Sequence, residues 1–243
     1  MTLGHPAAVL PLRRLGLPLT ALVIGSLVPD LPLYLGWSKG YALFHSPLGV
    51  VTVDLLAGML LMVLWFSLAR DALVDLSPSA VRSRLAPRAR LAARQWALAP
   101  LAVAIGAATH VFWDSFTHPG RWGVRHVDWL QSQHEGVLGL KWAQYVSGGV
   151  GLLVVTWAIA VYLRDAQVGR ESRSPRVLTP LALPGVAVLA VGMGIASAAV
   201  DLHSGLEAWA FRATVDSVIS VVLGGLMVCT IWQFVHRRTA PSE

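Results

Sequence analysis

Long apolar runs alternate with short polar, arginine-rich breaks along most of this chain. Five runs are long enough to count as spans: Pro47 to about Ala69, about Ala97 to His118, Ala143 to Leu163, Val177 to Val200 and Ala213 to Val235. At a helical rise of about 1.5 Å per residue, each covers the ~30 Å of a bilayer's hydrocarbon core. Helices satisfy every backbone group internally, so helix is the element predicted for all five. A membrane barrel would need short segments of alternating polarity, which are absent. The pattern predicts an all-α fold: a polytopic membrane helix bundle, organised as one integral domain over residues 1–243. Within it, residues 1–36 form an N-terminal element, 47–163 a core and 177–238 a C-terminal helix pair.

The N-terminal element breaks the pattern. Pro6 to Leu12 and Leu17 to Leu27 are each about ten apolar residues, too short to span alone. Arg13-Arg14-Leu15-Gly16 and then Pro18 separate them. One reading is a sixth, irregular span from Leu17 to Leu35. The other is a short helical hairpin that enters and leaves on one face, with His5 and Asp30 together at its open end. Such a hairpin is tolerated at membrane depth where protein packs around it. A signal peptide is disfavoured: twelve residues precede the arginine pair, and the apolar run Leu15–Val28 ends in Pro29-Asp30-Leu31-Pro32 rather than a small-residue cleavage site.

Composition agrees with the spans. Hydrophobic residues make up 55% of the chain and charged residues 13%, with mean hydropathy +0.61. Soluble domains carry about 25% charged residues. The net charge of +6 could suggest nucleic acid. The cations, however, lie in loops that flank spans, and no interleaved basic and aromatic stripe exists, so nucleic acid is not an expected partner. Arg70–Arg94 holds six arginines, Arg164–Arg176 four and the tail two, and five alternating spans put these three regions on one side. The opposite loops hold Lys39, Arg121, Arg125, Lys141 and Arg212. Twelve cations against five place the basic loops and the C-terminus in the cytoplasm, with a bacterial inner membrane as the expected location. Cys229, in the last span, stands alone, so no intrachain disulfide forms and a small apolar packing role is expected. Gly148-Gly149-Val150-Gly151 and residues 192–199 are small-residue faces for close helix packing.

The chemistry concentrates in Thr109-His110-Val111-Phe112-Trp113-Asp114-Ser115-Phe116-Thr117-His118-Pro119-Gly120. His110, Asp114 and His118 stand at i, i+4 and i+8, on one helical face with a drift of about 40° per step. Pro119 places His118 at the helix end. Such groups either satisfy one another between helices or hold a cation. Imidazole nitrogen and carboxylate oxygen are both zinc ligands, and ionisable groups inside spans usually mark function. His45 (before Pro47), Asp30 and, in the hairpin reading, His5 reach the same face. Together His5, Asp30, His45, His110 and Asp114 form a ligand set for a divalent metal, with zinc the expected ion or a two-metal centre with a bridging carboxylate. Asp54, early in the first span, is a candidate proton acceptor or supporting partner. Asp216, Asp201 and His203 are weaker candidates; His126, His134, Glu135 and His236 read as solvated or interfacial.

These residues carry a resemblance. Leu3-Gly4-His5-Pro6 through Pro11, Gly25-Ser26-Leu27-Val28-Pro29-Asp30-Leu31-Pro32, His45-Ser46, and Gly106 through His118 resemble domain-of-unknown-function family 4184, in the same order over the first two-thirds of the chain. That family implies no activity. The chain is also distantly similar to the membrane-bound metal-dependent hydrolases, inner-membrane-associated enzymes with an N-terminal His, a Pro-Asp, a Thr-His-Ser and a His-x-x-x-Asp. It departs from them at His45, where Phe44 replaces the Thr and no second His lies just upstream. The His-x-x-x-Asp helix is similar to the zinc-dependent phospholipase C fold, which implies a phosphoester or lipid substrate.

The expected function is therefore a metal-dependent hydrolase acting on a membrane-associated substrate. His5, Asp30, His45, His110 and Asp114 would hold the metal. His118 would be a sixth ligand or proton donor and Asp54 a proton acceptor. The alternatives are an ion- or proton-coupled transporter, for which the inverted repeats are missing, and a non-catalytic membrane structural protein.

Overall fold

The computed structural model describes residues 2–169, 176–199, 203 and 205–239, excluding the side chains of 2 and 239. It is all-α apart from one small hairpin. The chain folds into two compact units: Met1–Val63 with Leu91–Arg164, and Leu64–Arg90 with Asp165–Glu243.

The first unit begins with short pieces: α1 (Pro6–Val9), a 3-10 stretch Leu10–Leu15, α2 (Leu19–Gly25), a 3-10 turn Val28–Asp30, α3 (Leu31–Tyr34) and α4 (Ser38–Phe44). Prolines at helix starts explain the fragmentation: Pro6, Pro11, Pro29 and Pro32 each open an element, where the missing N–H costs nothing. Gly16 ends the Leu10–Leu15 stretch with φ +74°, a left-handed cap that suits glycine. α5 (Pro47–Val51) is capped by Ser46, whose Oγ accepts from Gly49 N at 2.9 Å. The helix breaks at Thr52 (φ −123°, ψ −89°) and resumes as α6 (Val53–Leu64). A π-helical turn, Trp65–Ala69, begins the second unit.

That unit contains α7 (Arg70–Leu76) and α8 (Ser79–Arg82). The chain then returns to the first unit for α9 (Ala93–Thr117), α10 (Trp122–His126) and α11 (Asp128–Gln131). Strands β1 (Gln133–His134) and β2 (Val137–Leu138) pair antiparallel, Gln133 facing Leu138 and His134 facing Val137. Glu135 and Gly136 both take positive φ in the tight turn between them. α12 (Gly139–Asp165) closes the first unit. α13 (Ala182–Ser197) and α14 (Leu206–Thr239) complete the second. Its core is Ala72, Leu76, Val228, Cys229 and Trp232, so Cys229 is the buried packing residue its position suggested. Asp75 clamps that core, accepting from Arg82 Nη2 at 2.7 Å and Trp232 Nε1 at 2.9 Å.

Among the described residues, four helices are long and apolar enough to cross a membrane: Val53–Leu76, Ala93–Thr117, Gly139–Asp165 and Leu206–Arg238. Two shorter apolar helices accompany them, Leu19–Tyr34 and Ala182–Ser197. The five or six spans read from the sequence are thus matched by four. The run expected to start at Val177 enters its helix only at Ala182, because Pro180 lies in the approach, and the helix has 16 residues. The first span starts later and ends later than expected, shifted by the break at Thr52 and continued through the π turn. Large apolar side chains stand exposed along these helices, Leu153 at 71%, Trp157 at 68% and Leu223 at 62% among them. Water does not tolerate apolar faces this extensive, and lipid does.

Packing inside the first unit rests on glycines at helix crossings. A Cβ on Gly106 would lie 2.8 Å from Ser26 N, and one on Gly25 would lie 2.8 Å from Val103 Cα. α2 therefore lies backbone-to-backbone on α9. Gly151 meets Gly4 in the same way, since a Cβ there would stand 2.9 Å from Gly4 Cα. One approach seats the Gly25 end of the N-terminal element on α9, and the other seats its Gly4 end on α12.

Candidate metal centre

α9 presents His110 and Asp114 one turn apart on its buried side. His118 is its C-cap, with extended backbone (φ −125°, ψ 138°) forced by the following Pro119. The turn after α2 delivers Ser26 and Asp30, the end of α4 delivers His45, and the start of α1 delivers His5. His5, Asp30, His45, His110 and Asp114 are each at most 8% exposed, so all five have left solvent. All five residues named as ligands from the sequence thus come together.

The carboxylate of Asp114 is the hub. Its Oδ2 stands 3.4 Å from His45 Nε2, 3.4 Å from His110 Nε2 and 3.3 Å from His118 Nδ1. Its Oδ1 stands 3.4 Å from His5 Nε2. Asp30 Oδ1 completes the set at 3.5 Å from His110 Nε2 and 3.7 Å from His45 Nε2. Asp30, His45, His110 and Asp114 each offer one atom within 4.8 Å of the others. His5 lies just outside this group. Its ring stacks on that of His110 at 3.8 Å, which aims its Nε2 at the other oxygen of Asp114.

The far nitrogen of each central imidazole decides what this cluster is. His110 Nδ1 donates to the Ser26 carbonyl at 2.8 Å, and His45 Nδ1 donates to the Tyr41 carbonyl at 3.0 Å. A neutral ring whose proton sits on Nδ1 has only a lone pair on Nε2. In that tautomer both Nε2 atoms face carboxylate oxygens as acceptor against acceptor. They are buried without a hydrogen-bond partner among the described residues. Were the rings imidazolium ions paired with the aspartates, N–H···O⁻ contacts of about 2.7–2.9 Å would be expected. The separations of 3.4–3.7 Å are longer than that. They match the spacing of about 3.4 Å between two ligands that each lie about 2.1 Å from one tetrahedrally coordinated ion. The donor set, two imidazoles and two carboxylates, suits a divalent cation and can hold one.

The supporting groups are main-chain carbonyls and loop residues. Tyr41 stacks on His45 at 3.9 Å between ring centres, and Arg121 donates from Nη1 to the His45 carbonyl at 3.1 Å. Burial, with Asp114 and Asp30 nearby, pushes the Tyr41 phenol above its usual range, so it stays protonated. Thr117 Oγ lies 3.4 Å from Asp114 Oδ1. These partners escaped the sequence reading. A carbonyl acceptor carries no residue signature, and the only trace of Tyr41 is its place four residues before His45.

Asp54, named from the sequence, is fully buried, with neither carboxylate oxygen hydrogen-bonded among the described residues. His118 is the most exposed member of the cluster, and its Nε2 lies 3.4 Å from Gln144 Nε2. The weaker candidates lie elsewhere. Asp216 accepts from Ser197 Oγ within the second unit. His126 stacks on Trp122, His134 on Trp129 and His236 on Trp232. Asp201 lies outside the described residues.

The model of one family, the domain of unknown function DUF4184, matches residues 1–233. The chain belongs to the DUF4184 family. The match covers both units and every residue of the cluster, so the resemblance first seen in the N-terminal two-thirds extends nearly to the end. No curated protein and no solved structure matches the chain.

Proposed function

We propose that this DUF4184 protein is an integral membrane metal-dependent hydrolase that acts on a membrane-associated substrate, with zinc as its ion. The observation that carries the reading is the pair of buried Nε2 atoms turned towards two carboxylates at 3.4–3.7 Å, each on a ring whose Nδ1 meets a main-chain carbonyl. Nothing but a cation or added protons makes that arrangement favourable, and the spacing fits a cation. His45 and His110 through Nε2, with Asp30 and Asp114, would hold it. His5, on the other oxygen of Asp114, would serve the same ion or a second one bridged by that carboxylate.

Bound there, a divalent cation supplies Lewis acidity for hydrolysis. The chain's own residues do the rest. The Ser26 and Tyr41 carbonyls fix the tautomers and aim both imidazoles. His118, at the rim, is placed to move a proton to or from a substrate oxygen. Asp54, whose carboxylate oxygens have no hydrogen-bond partner among the described residues, is the reserve proton acceptor. The membrane reading uses five crossings plus the N-terminal hairpin, the two short apolar helices serving as hairpin and fifth crossing. The loops at 70–94 and 164–176 and the C-terminus face the cytoplasm of a bacterial inner membrane, with the metal group near the opposite face.

The test is metal content by elemental mass spectrometry on detergent-purified protein, wild type and His110→Ala, prepared without chelators. About one or two equivalents in the wild type, lost in the variant, is the expected result for a site of this type. A wild type free of metal would overturn the hydrolase reading and favour a proton or ion pathway through the same residues.

A further inference from the structure

A cavity of about 620 Å³ opens beside Asp114, between α1, α9 and α12. It lies wholly within the first unit and falls in the size range of small-molecule sites, roughly 300–1,000 Å³. Its polarity is graded. His5, Asp114, Thr117 and Gln144 line one end, which is the end of the metal group. Gly148, Val150, Gly151 and Val154 line the other. Because α9 and α12 run antiparallel, with Trp113 Nε1 donating to Ser147 Oγ at 3.1 Å and His118 beside Gln144, this grading follows the helix axis. From Ala143 to Val154 the groove extends eleven residues along α12, about 16 Å at helical rise. That is about half of a ~30 Å hydrocarbon core, the depth of one leaflet. Val146 and Val150 line the cavity and are more than half exposed, so the groove is open along the flank of a helix fit to cross a membrane. The glycines are the reason it exists. Gly4 rests on Gly148 and Gly151, which brings the N-terminal segment close to α12.

We infer that this groove takes one aliphatic chain of a membrane lipid, with the lipid's polar head at His5 and Asp114. The inference rests on the proposed metal site only for the position of the head. A soluble substrate would leave the apolar end of the groove unsatisfied. A lipid chain fills it, and enters sideways from the leaflet.

The test uses the full chain in phosphatidylcholine nanodiscs doped with phosphatidylcholine that carries a diazirine at the end of one acyl chain. Photolysis and peptide mapping should place the label at the apolar end of the groove, on Gly148, Val150, Gly151 and Val154, in preference to the exposed Leu153 and Trp157. Val150→Trp fills the groove and should lower the groove label by at least about tenfold. Leu153→Trp, on the outer face of the same helix, should leave it unchanged. Metal content is measured on every sample. Equal labelling of groove and outer face, unaltered by Val150→Trp, would overturn the inference. So would a groove without label in a preparation that runs as a dimer, since a helix of a second copy would then fill it. Groove labelling in a protein that holds no metal would sustain the lipid site while refuting the hydrolase reading.

Discussion

Replacing Gly106 by alanine adds one methyl group a helical turn before His110, and it should disable the proposed metal site. The Cβ would point into the backbone of α2, colliding with the Leu22 carbonyl oxygen and lying 2.8 Å from Ser26 N. Ordinary contact begins near 3.4 Å, so Ser26 must retreat by at least 0.6 Å. Neither neighbour is a flexible side chain that could swing aside. The Ser26 carbonyl is the acceptor that orients His110, at 2.8 Å from Nδ1. Moved by the same amount away from α9, that bond stretches to about 3.4 Å, beyond the 2.7–3.2 Å of an effective N–H···O bond. His110 then loses both its tautomer and its aim.

Two magnitudes follow. Overpacking at a rigid crossing costs about 1–3 kcal/mol of stability. Loss of an orienting partner behind a histidine ligand costs about 10–100-fold in metal affinity. The assay is zinc titration of the purified variant, with thermal unfolding followed in parallel. Gly192→Ala is the matched control, because its Cβ meets nothing within 4 Å. It should leave zinc affinity unchanged and, as a helix-interior glycine replaced by alanine, should not lower stability. If Gly106→Ala lowers stability but binds zinc with wild-type affinity, the claim that α2 aims His110 through its backbone is wrong.

Further outcomes test other parts of the site. Asp54→Leu removes a buried carboxylate that has no hydrogen bond among the described residues, so it should stabilise the fold by about 1–3 kcal/mol in thermal unfolding, with metal retained. Destabilisation would show that the carboxylate is satisfied. His5→Ala should weaken metal binding less than His110→Ala, because His5 stands outside the four-atom group. If wild type holds two equivalents, the variant should hold one by elemental analysis. Chelation at saturating chelator should destabilise the wild type by about 2.7 kcal/mol where the ion had been present at 100 times its Kd, and added zinc should restore the melting temperature. A topology reporter fused after Ser83 should prove cytoplasmic; an extracytoplasmic signal would invert the assigned sides.

The residues that survive from sequence to structure are those whose roles depend on local spacing. His110 and Asp114 share a face because four residues make about one turn, and His118 leaves the helix because Pro119 follows it; both effects act within five residues. The approach of His5 was inferable from chemistry: a histidine just ahead of an apolar run gains a purpose only if the chain doubles back towards Asp30. The structure has both meeting the end of α9. Span boundaries were less legible. The break at Thr52 and the π turn at Trp65–Ala69 alter the first span without any proline or glycine at the site of change. Least legible were the groups behind the two central imidazoles, on which the proposed metal site depends. Ser26 and Tyr41 act through their carbonyls, which every residue possesses, so the sequence cannot mark them. What it does mark is the small residue that lets the carbonyl approach: Gly25 and Gly106 appear in the motifs that carry the family resemblance, beside the ligands they serve. Glycines that flank a histidine or aspartate in a short apolar motif are therefore to be read with the ligand, because they set the distance at which another helix's backbone can orient it.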